Sequence, residues 1–339
     1  MNGRNGLVPG RGLLFDRVRH GPVAALVDLK QHLRAGEFDA LMDAAQVFDV
    51  TEVDHWLDVT HEERRTAGRG HEDWADVEYA PPPYKHVWLE FPAESVGDSP
   101  ERLAWTQHGR RGLLVNVWES GEIPMLPALT ASIDLLRIRW MYEVLLVCWN
   151  DERTLQLQEQ RDGTWKEMTV VRETPPIIKS AFLMAVDERG RMLPKHNAPH
   201  FLAYEGTEPG SPYSAYLITN VFALLACPPS NVPRTLHRPL RQASRLHQRE
   251  TGKPLVSYWT LDVGPSEADR MRAANLRMRA AREGRASPRL HWVRGHFKRG
   301  QFVTDGKPHG RYCRPHLRGT MDEGAIVKGY AVHTPHGGN

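Results

Sequence analysis

The chain has 339 residues, 40% of them hydrophobic and 25% charged, which leaves room for two or three domains of about 100 to 200 residues and argues against wholesale disorder. No apolar run reaches about 18 residues, and the start MNGRNGLVPGRGLLF lacks the apolar core of a signal peptide, so the sequence predicts a cytoplasmic protein without a membrane partner. The formal net charge of +3 hides an asymmetry, because Arg234 to Arg318 holds 20 Lys plus Arg against 6 Asp plus Glu, a local +14, while residues 1–233 carry −10.

The pattern along the chain predicts an α+β protein: a mixed N-terminal sheet with helices, then a small basic β-rich module. The divisions of composition fall into a helical and loop region over 1–83, an α+β core over 84–233 and the basic module over 234–339. Residues 1–21 are rich in Gly and Arg and predict little structure of their own. From Pro22 to Val50 the apolar spacing predicts two short helices broken at Gly36. The polar stretch Thr51 to Pro83 reads as a loop ending in prolines. Tyr84–Phe91 and Gly112–Trp118 have strand character, and MYEVLLVCW ending at Trp149 is the most apolar strand. Thr154–Gln160 and Thr164–Val171 form a hairpin around Asp162 and Gly163. Ile177–Val186 fits either a strand or a helix. Ala215–Ala226 is apolar nearly all round and reads as a buried helix, stopped by Pro228 and Pro229. Cys148 and Cys227 sit in apolar runs as small buried hydrophobes, and with Cys313 they form no CxxC pair, which agrees with a reducing compartment.

The basic end carries the functional signal. Pro239–Glu250 predicts a helix that places Arg241, Arg245 and Arg249 on one face, with Gly252 as its cap, and three stacked arginines can follow a phosphate track. A strand over Leu255–Val263 follows, then an arginine-rich helix from Ser266 to Arg282. Within Ser287 to Arg299, the residues Arg289, His291, Arg294, His296, Lys298 and Arg299 crowd into eleven positions around Trp292 and Phe297. If this stretch is extended, Trp292, Arg294, His296 and Lys298 share one face, and His291, Val293, Gly295 and Phe297 share the other. Arginine forks bind phosphate bidentately, and stacking on aromatics contributes about 1 to 3 kcal/mol per base. The expected nucleic-acid contacts are therefore Arg241, Arg245, Arg249, Arg289, Trp292, Arg294, Lys298 and Arg299. The plainer alternative is a solvated edge strand whose charges guard against aggregation.

Two other chemistries use the same residues. His291 and His296, with Arg294 stabilising an anion, have the makings of a metal-independent nuclease or ribonuclease, but a bulge at Gly295 would be needed to bring the two imidazoles together. His291, His296, Cys313 and His316 resemble zinc spacing in part, yet H-x4-H and C-x2-H separated by sixteen residues match no zinc class, and neither a metal nor another cofactor is expected. A protein-binding role against a host factor, with the acidic front half as partner surface, is the remaining alternative. There are no internal repeats and no Walker, GxGxxG or GxSxG motif, so the sequence leaves open whether any catalysis occurs.

In order, NVFALLACPPSNV, RLHQRETGKPLVSYWTLDV, SPRLHWVRGHFKR, RPHLRG and GAIVKGYAV resemble a family of uncharacterised bacteriophage and prophage proteins with an R-x-H-x-x-R-G-H core and a terminal G-x-V-x-K-x-Y segment. The resemblance covers roughly the last 125 residues. The core positions are Arg289, His291, Arg294, Gly295, His296 and Arg299, with Lys328 and Tyr330 near the end. Where that family has a short turn and a W-V-x-P strand, the turn here is longer and Tyr312 and Cys313 stand in place of the hydrophobic pair. The resemblance implies a mobile-element protein acting inside a bacterial cell. Three short C-terminal strands, the last over Gly324–Val332, predict a small sheet or partial barrel.

Overall fold

The computed structural model describes residues 13–20, 24–25, 37–54, 56–57, 77–92, 109–120, 138–159, 165–173, 175–193, 201–202, 212–266, 269–271, 291–293, 295–298 and 302–318. In chain order these form helix α1 (Leu14–His20), strand β1 (Ala24–Ala25), helix α2 (Glu37–Ala44) and strand β2 (Gln46–Asp49). Strands β3 (His86–Pro92), β4 (Gly109–Glu119), β5 (Trp140–Glu159), β6 (Trp165–Glu173), β7 (Ile177–Val186) and β8 (Phe201–Leu202) follow. Next come helix α3 (Pro212–Leu225), strand β9 (Arg234–His237), helix α4 (Arg241–Thr251) and strand β10 (Tyr258–Leu261). The chain then runs through β11 (His291–Val293), β12 (His296–Phe297), β13 (Phe302–Thr304), β14 (Lys307–His309), β15 (Tyr312–Cys313) and β16 (His316–Arg318).

The described strands β1 to β10 make one mixed sheet in the order β1-β7-β5-β4-β3-β2-β10-β9, with β6 on the far half of β5 and β8 on β7. Strands β10, β2 and β3 are parallel neighbours, and β3, β4, β5 and β7 pair antiparallel. The protein is thus α+β. The sheet draws strands from all three stretches distinguished by composition, crossing both the 83/84 and the 233/234 divisions.

The central strands are apolar at successive positions because both faces are covered. On the first face, Val87, Leu89, Leu113, Val115 and Val144 join the core of α3, where Tyr142 meets Phe222 edge-on with centroids 5.4 Å apart. On the second face, Trp88, Leu114, Leu145 and Val147 pack with Leu14, Phe15 and Val18 of α1 and Met42 of α2. Helix α3 is buried as its composition predicts. Its polar side chains bond within the helix, Thr219 Oγ1 to the Ala215 carbonyl and Asn220 Nδ2 to the Tyr216 carbonyl, each at 2.9 Å. At its C-terminal end the Arg234 guanidinium donates to the carbonyls of Leu225 and Cys227, at 2.5 and 3.0 Å.

Several local expectations change. Within residues 1–21, expected to carry little structure, Leu14–His20 forms a core helix, and Leu13, Leu14, Phe15 and Val18 are all buried. Helix α2 follows Gly36 as expected, but the apolar pattern at Val47 and Phe48 belongs to a strand, not to the same helix. The beginning of the expected Thr51–Pro83 loop is helical, and Val53 and Leu57 in it are fully buried. Ile177–Val186 is a strand.

What fastens α1 is a carboxylate from the sheet. Glu90 on β3 is fully buried and accepts the Leu14 and Phe15 N–H groups at 2.9 and 3.1 Å, so it caps a helix 75 residues away. Trp88 Nε1 donates to it at 3.2 Å and Arg110 Nε donates to its other oxygen, while Arg110 also lies 3.4 Å from Asp49. Beside it, Asp16 of α1 is buried and accepts the Val256 N–H at 3.2 Å. Burial, the nearby Glu90 charge adding to it, pushes the Asp16 carboxyl up to about 7. A carboxyl raised in the folded state contributes stability that is full below its unfolded value near 4 and lost as pH rises through about 7. Asp16→Asn keeps the acceptor and removes the charge. Relative to the parent protein, it should gain about 1 to 4 kcal/mol between pH 5 and pH 8, at about 1.4 kcal/mol per pKa unit. Urea midpoints at the two pH values check this, and a variant that differs from the parent equally at both would contradict it.

Candidate nucleic-acid interface

The described C-terminal strands form a two-stranded ribbon; Gly324–Val332, the last strand of the expected small sheet or partial barrel, lies outside the described residues. His291, Trp292 and Val293 pair with Arg318, Leu317 and His316, and His296 and Phe297 pair with Cys313 and Tyr312. The two sets keep one register, and the Lys298 N–H continues it to the Arg311 carbonyl at 2.8 Å. Beyond this, Phe302 pairs with His309 and Thr304 with Lys307, a slip of two residues that preserves which side chains share a face. The ribbon closes at Asp305 and Gly306, with φ of 52° and 73°, the two positive angles of the hairpin turn whose twist suits its strands.

One face of the ribbon is built into the protein. Tyr312 is buried, with its ring edge-on to Trp56 at 5.5 Å and beside Phe297 at 5.4 Å, and its hydroxyl donates to the Val263 carbonyl at 3.2 Å. The Asn231 amide clasps its backbone from both sides, accepting from Tyr312 N–H at 2.8 Å and donating to Tyr312 C=O at 2.6 Å. Gly295 lies under this ring, where a Cβ would overlap the hydroxyl. Arg314 pairs with Asp262 at 2.7 Å and donates to the Gly264 carbonyl at 2.8 Å.

The opposite face is cationic and turned from the core. His296, Lys298, Lys307 and Arg311 are exposed on it. The Arg311 guanidinium lies 5.7 Å over the Phe302 ring, which stacks on His309 at 6.1 Å. His309 Nδ1 donates to the Gly310 carbonyl at 2.7 Å, and its Nε2 shares a hydrogen bond with the Thr304 hydroxyl at 2.8 Å. Among the described residues no carboxylate shares this face; Asp305 stands at the turn.

Helix α4 carries the second basic surface. Arg241, Arg245 and Arg249 are exposed, and none pairs with an acidic side chain among the described residues. Gly252 caps the helix at φ 84°, its N–H donating to the Gln248 carbonyl. No residue of α4 is buried, and Leu240 and Leu246 beside the arginines are exposed.

Of the remaining expected contacts, Lys298 is exposed on the outer face and Trp292 takes its place in register opposite Leu317; Arg289, Arg294 and Arg299 lie outside the described residues. His291 stands in β11 and His296 in β12, whose pairings with β16 and β15 keep one register across Gly295. Among the described residues no three His, Cys, Asp or Glu side chains gather as a metal would require. Two cations the sequence reading passed over, Lys307 and Arg311, belong to the outer face. Only the cross-strand pairing, which sets Arg311 beside Lys298, brings them in. Arg234 and Arg314, by contrast, count toward the basic block but are spent on internal bonds.

Compared with protein-family models and with curated proteins, the chain matches none. No described helix is long and apolar enough to cross a membrane.

Proposed function

We propose that this protein binds nucleic acid through its C-terminal half and serves as an accessory protein of a bacteriophage or prophage, acting in the bacterial cytoplasm. The observation that carries the reading is the sorting of charge on the ribbon. A strand edge kept soluble by its charges has no need of one sign, yet the outer face collects His296, Lys298, Lys307 and Arg311 around Phe302 without a described carboxylate. Such a surface suits phosphates, with an aromatic ring beside them. Arg241, Arg245 and Arg249 add a second run of cations, and the phage-family resemblance of the last third of the chain agrees with a partner of this kind.

The test is fluorescence anisotropy with single-stranded RNA, single-stranded DNA and duplex DNA, each at several salt concentrations. Binding should weaken steeply with salt, and Lys298→Gln with Arg311→Gln should lower the slope of log K against log salt by about 2, one for each phosphate contact removed. Absence of binding at low salt would overturn the reading and favour a protein partner for the basic half.

A further inference from the structure

The two basic surfaces lie on opposite faces of the sheet. Helix α4 belongs to the side of α1 and α2: just beyond its cap, Lys253 Nζ sits 3.1 Å from both oxygens of Asp43 on α2. Five residues past its end, the Val256 N–H bonds Asp16 on α1, and Val256 and Tyr258 pack on the second-face core. The ribbon belongs to the side of α3: Tyr312 and Phe297 join the first-face core, and Gly310 lies against Cys227 and Ala223 at the end of α3. Yet both attach at one end of the sheet. Helix α4 is the connection between β9 and β10, and the ribbon is pinned to Val263 and Gly264, directly after β10. Between them stands the edge strand β9, paired among the described residues only with β10, and it leads into Arg238, which is exposed.

We infer that these surfaces form one track for a single-stranded nucleic acid, which passes from the ribbon over the β9 edge to α4. The inference rests on the proposed function and narrows its substrate. A ligand touching both surfaces must reverse its direction across the thickness of a helix–sheet–helix sandwich, roughly 20 to 30 Å with layers about 10 Å apart. Duplex DNA has a persistence length of about 150 base pairs, and even bends of 40–90° over 20–30 base pairs are costly, so a reversal this tight is closed to it. A single strand turns freely within that distance. Its phosphates can follow Lys298 and Arg311, cross at Arg238, and meet Arg241, Arg245 and Arg249. Engaging the second surface is then intramolecular, which raises affinity by roughly 10²- to 10⁴-fold over either surface alone.

The experiment uses the full chain with oligo(dT) and oligo(U) of about 8 and 30 nucleotides and a 30-base-pair duplex, chosen to span single-strand site sizes of about 4 to 16 nucleotides. The parent protein should bind the 30-mers at least 100-fold more tightly than the 8-mers, with the duplex near the 8-mer level. Neutralising either surface, Arg241→Gln, Arg245→Gln and Arg249→Gln on α4 or Lys298→Gln and Arg311→Gln on the ribbon, should bring 30-mer affinity down to the 8-mer level. Duplex binding equal to that of the long single strand would overturn the inference while leaving the proposed function standing. So would an α4 variant that binds the 30-mer like the parent. Binding of none of the probes removes the inference together with the function on which it rests.

Discussion

Replacing Glu90 by alanine should destabilise the protein by about 3–5 kcal/mol, the cost of leaving one partner of a buried ion pair behind. Four donors converge on this carboxylate: the N–H groups of Leu14 and Phe15, the Trp88 indole and the Arg110 guanidinium. Among the described residues, alanine would leave the largely buried Arg110 with Asp49 at 3.4 Å as its carboxylate, and would orphan two N–H groups at the start of α1. Glu90→Gln keeps acceptor oxygen and shape while losing charge, so it should cost less than alanine. Urea denaturation measures both. A loss within about 1 kcal/mol for Glu90→Ala would show that α1 does not depend on this cap, since a single neutral hydrogen bond is worth about that much.

The second large effect is expected at Gly295. A methyl group there overlaps the Tyr312 hydroxyl, which is held on Val263 while its ring is wedged between Trp56 and Phe297. Overpacking of this kind costs about 1–3 kcal/mol, and because the displaced ring is what seats the ribbon, Gly295→Ala should also weaken nucleic-acid binding. Tyr312→Phe alone removes one hydrogen bond, at about 1 kcal/mol. Combined with Gly295→Ala it also removes the oxygen in collision, so the double variant should be more stable than the sum of the two losses implies. Simple additivity in thermal or urea unfolding would mean that the glycine is not reserved for this ring.

Much of the sheet could be read from the sequence, because β3, β4, β5 and β7 carry apolar, β-branched and aromatic side chains at nearly every position. So could α3 and α4, whose lengths allow a helical period to show and whose ends carry Pro and Gly. Helix α1 could not: its seven residues are too few for a period, and what holds it is Glu90, far away in sequence. Shortness also hid the helical turn over Thr51–Asp54, which stands at the start of a polar stretch. Alternation alone foresaw that His296 and Lys298 share a face, but Arg311 and Lys307 joined them only through a register set by Tyr312 and the Asp305–Gly306 turn. Local charge also could not separate the arginines that face solvent from Arg234 and Arg314, which bond to carbonyls and Asp262. Least visible of all was the sheet between α4 and the ribbon, because adjacency in sequence says nothing of which face an element covers.

The outer face of the ribbon contains its own reporter. Cys313 lies directly across from His296 and is partly exposed, whereas Cys148 and Cys227 are buried, and burial pushes the Cys227 thiol up to about 12, with its Sγ–H on the Ala223 carbonyl. Native labelling with a maleimide should therefore modify Cys313 far faster than the other two, as peptide mass analysis would show. The decisive measurement is the rate of that labelling with and without a saturating 30-nucleotide single strand, a length above single-strand site sizes of about 4 to 16 nucleotides. A nucleic acid seated on the outer face slows it at least tenfold, and raised salt restores the rate as the strand dissociates. If the strand is bound by anisotropy under the same conditions and Cys313 reacts as fast as in the free protein, the ribbon's outer face is not the interface.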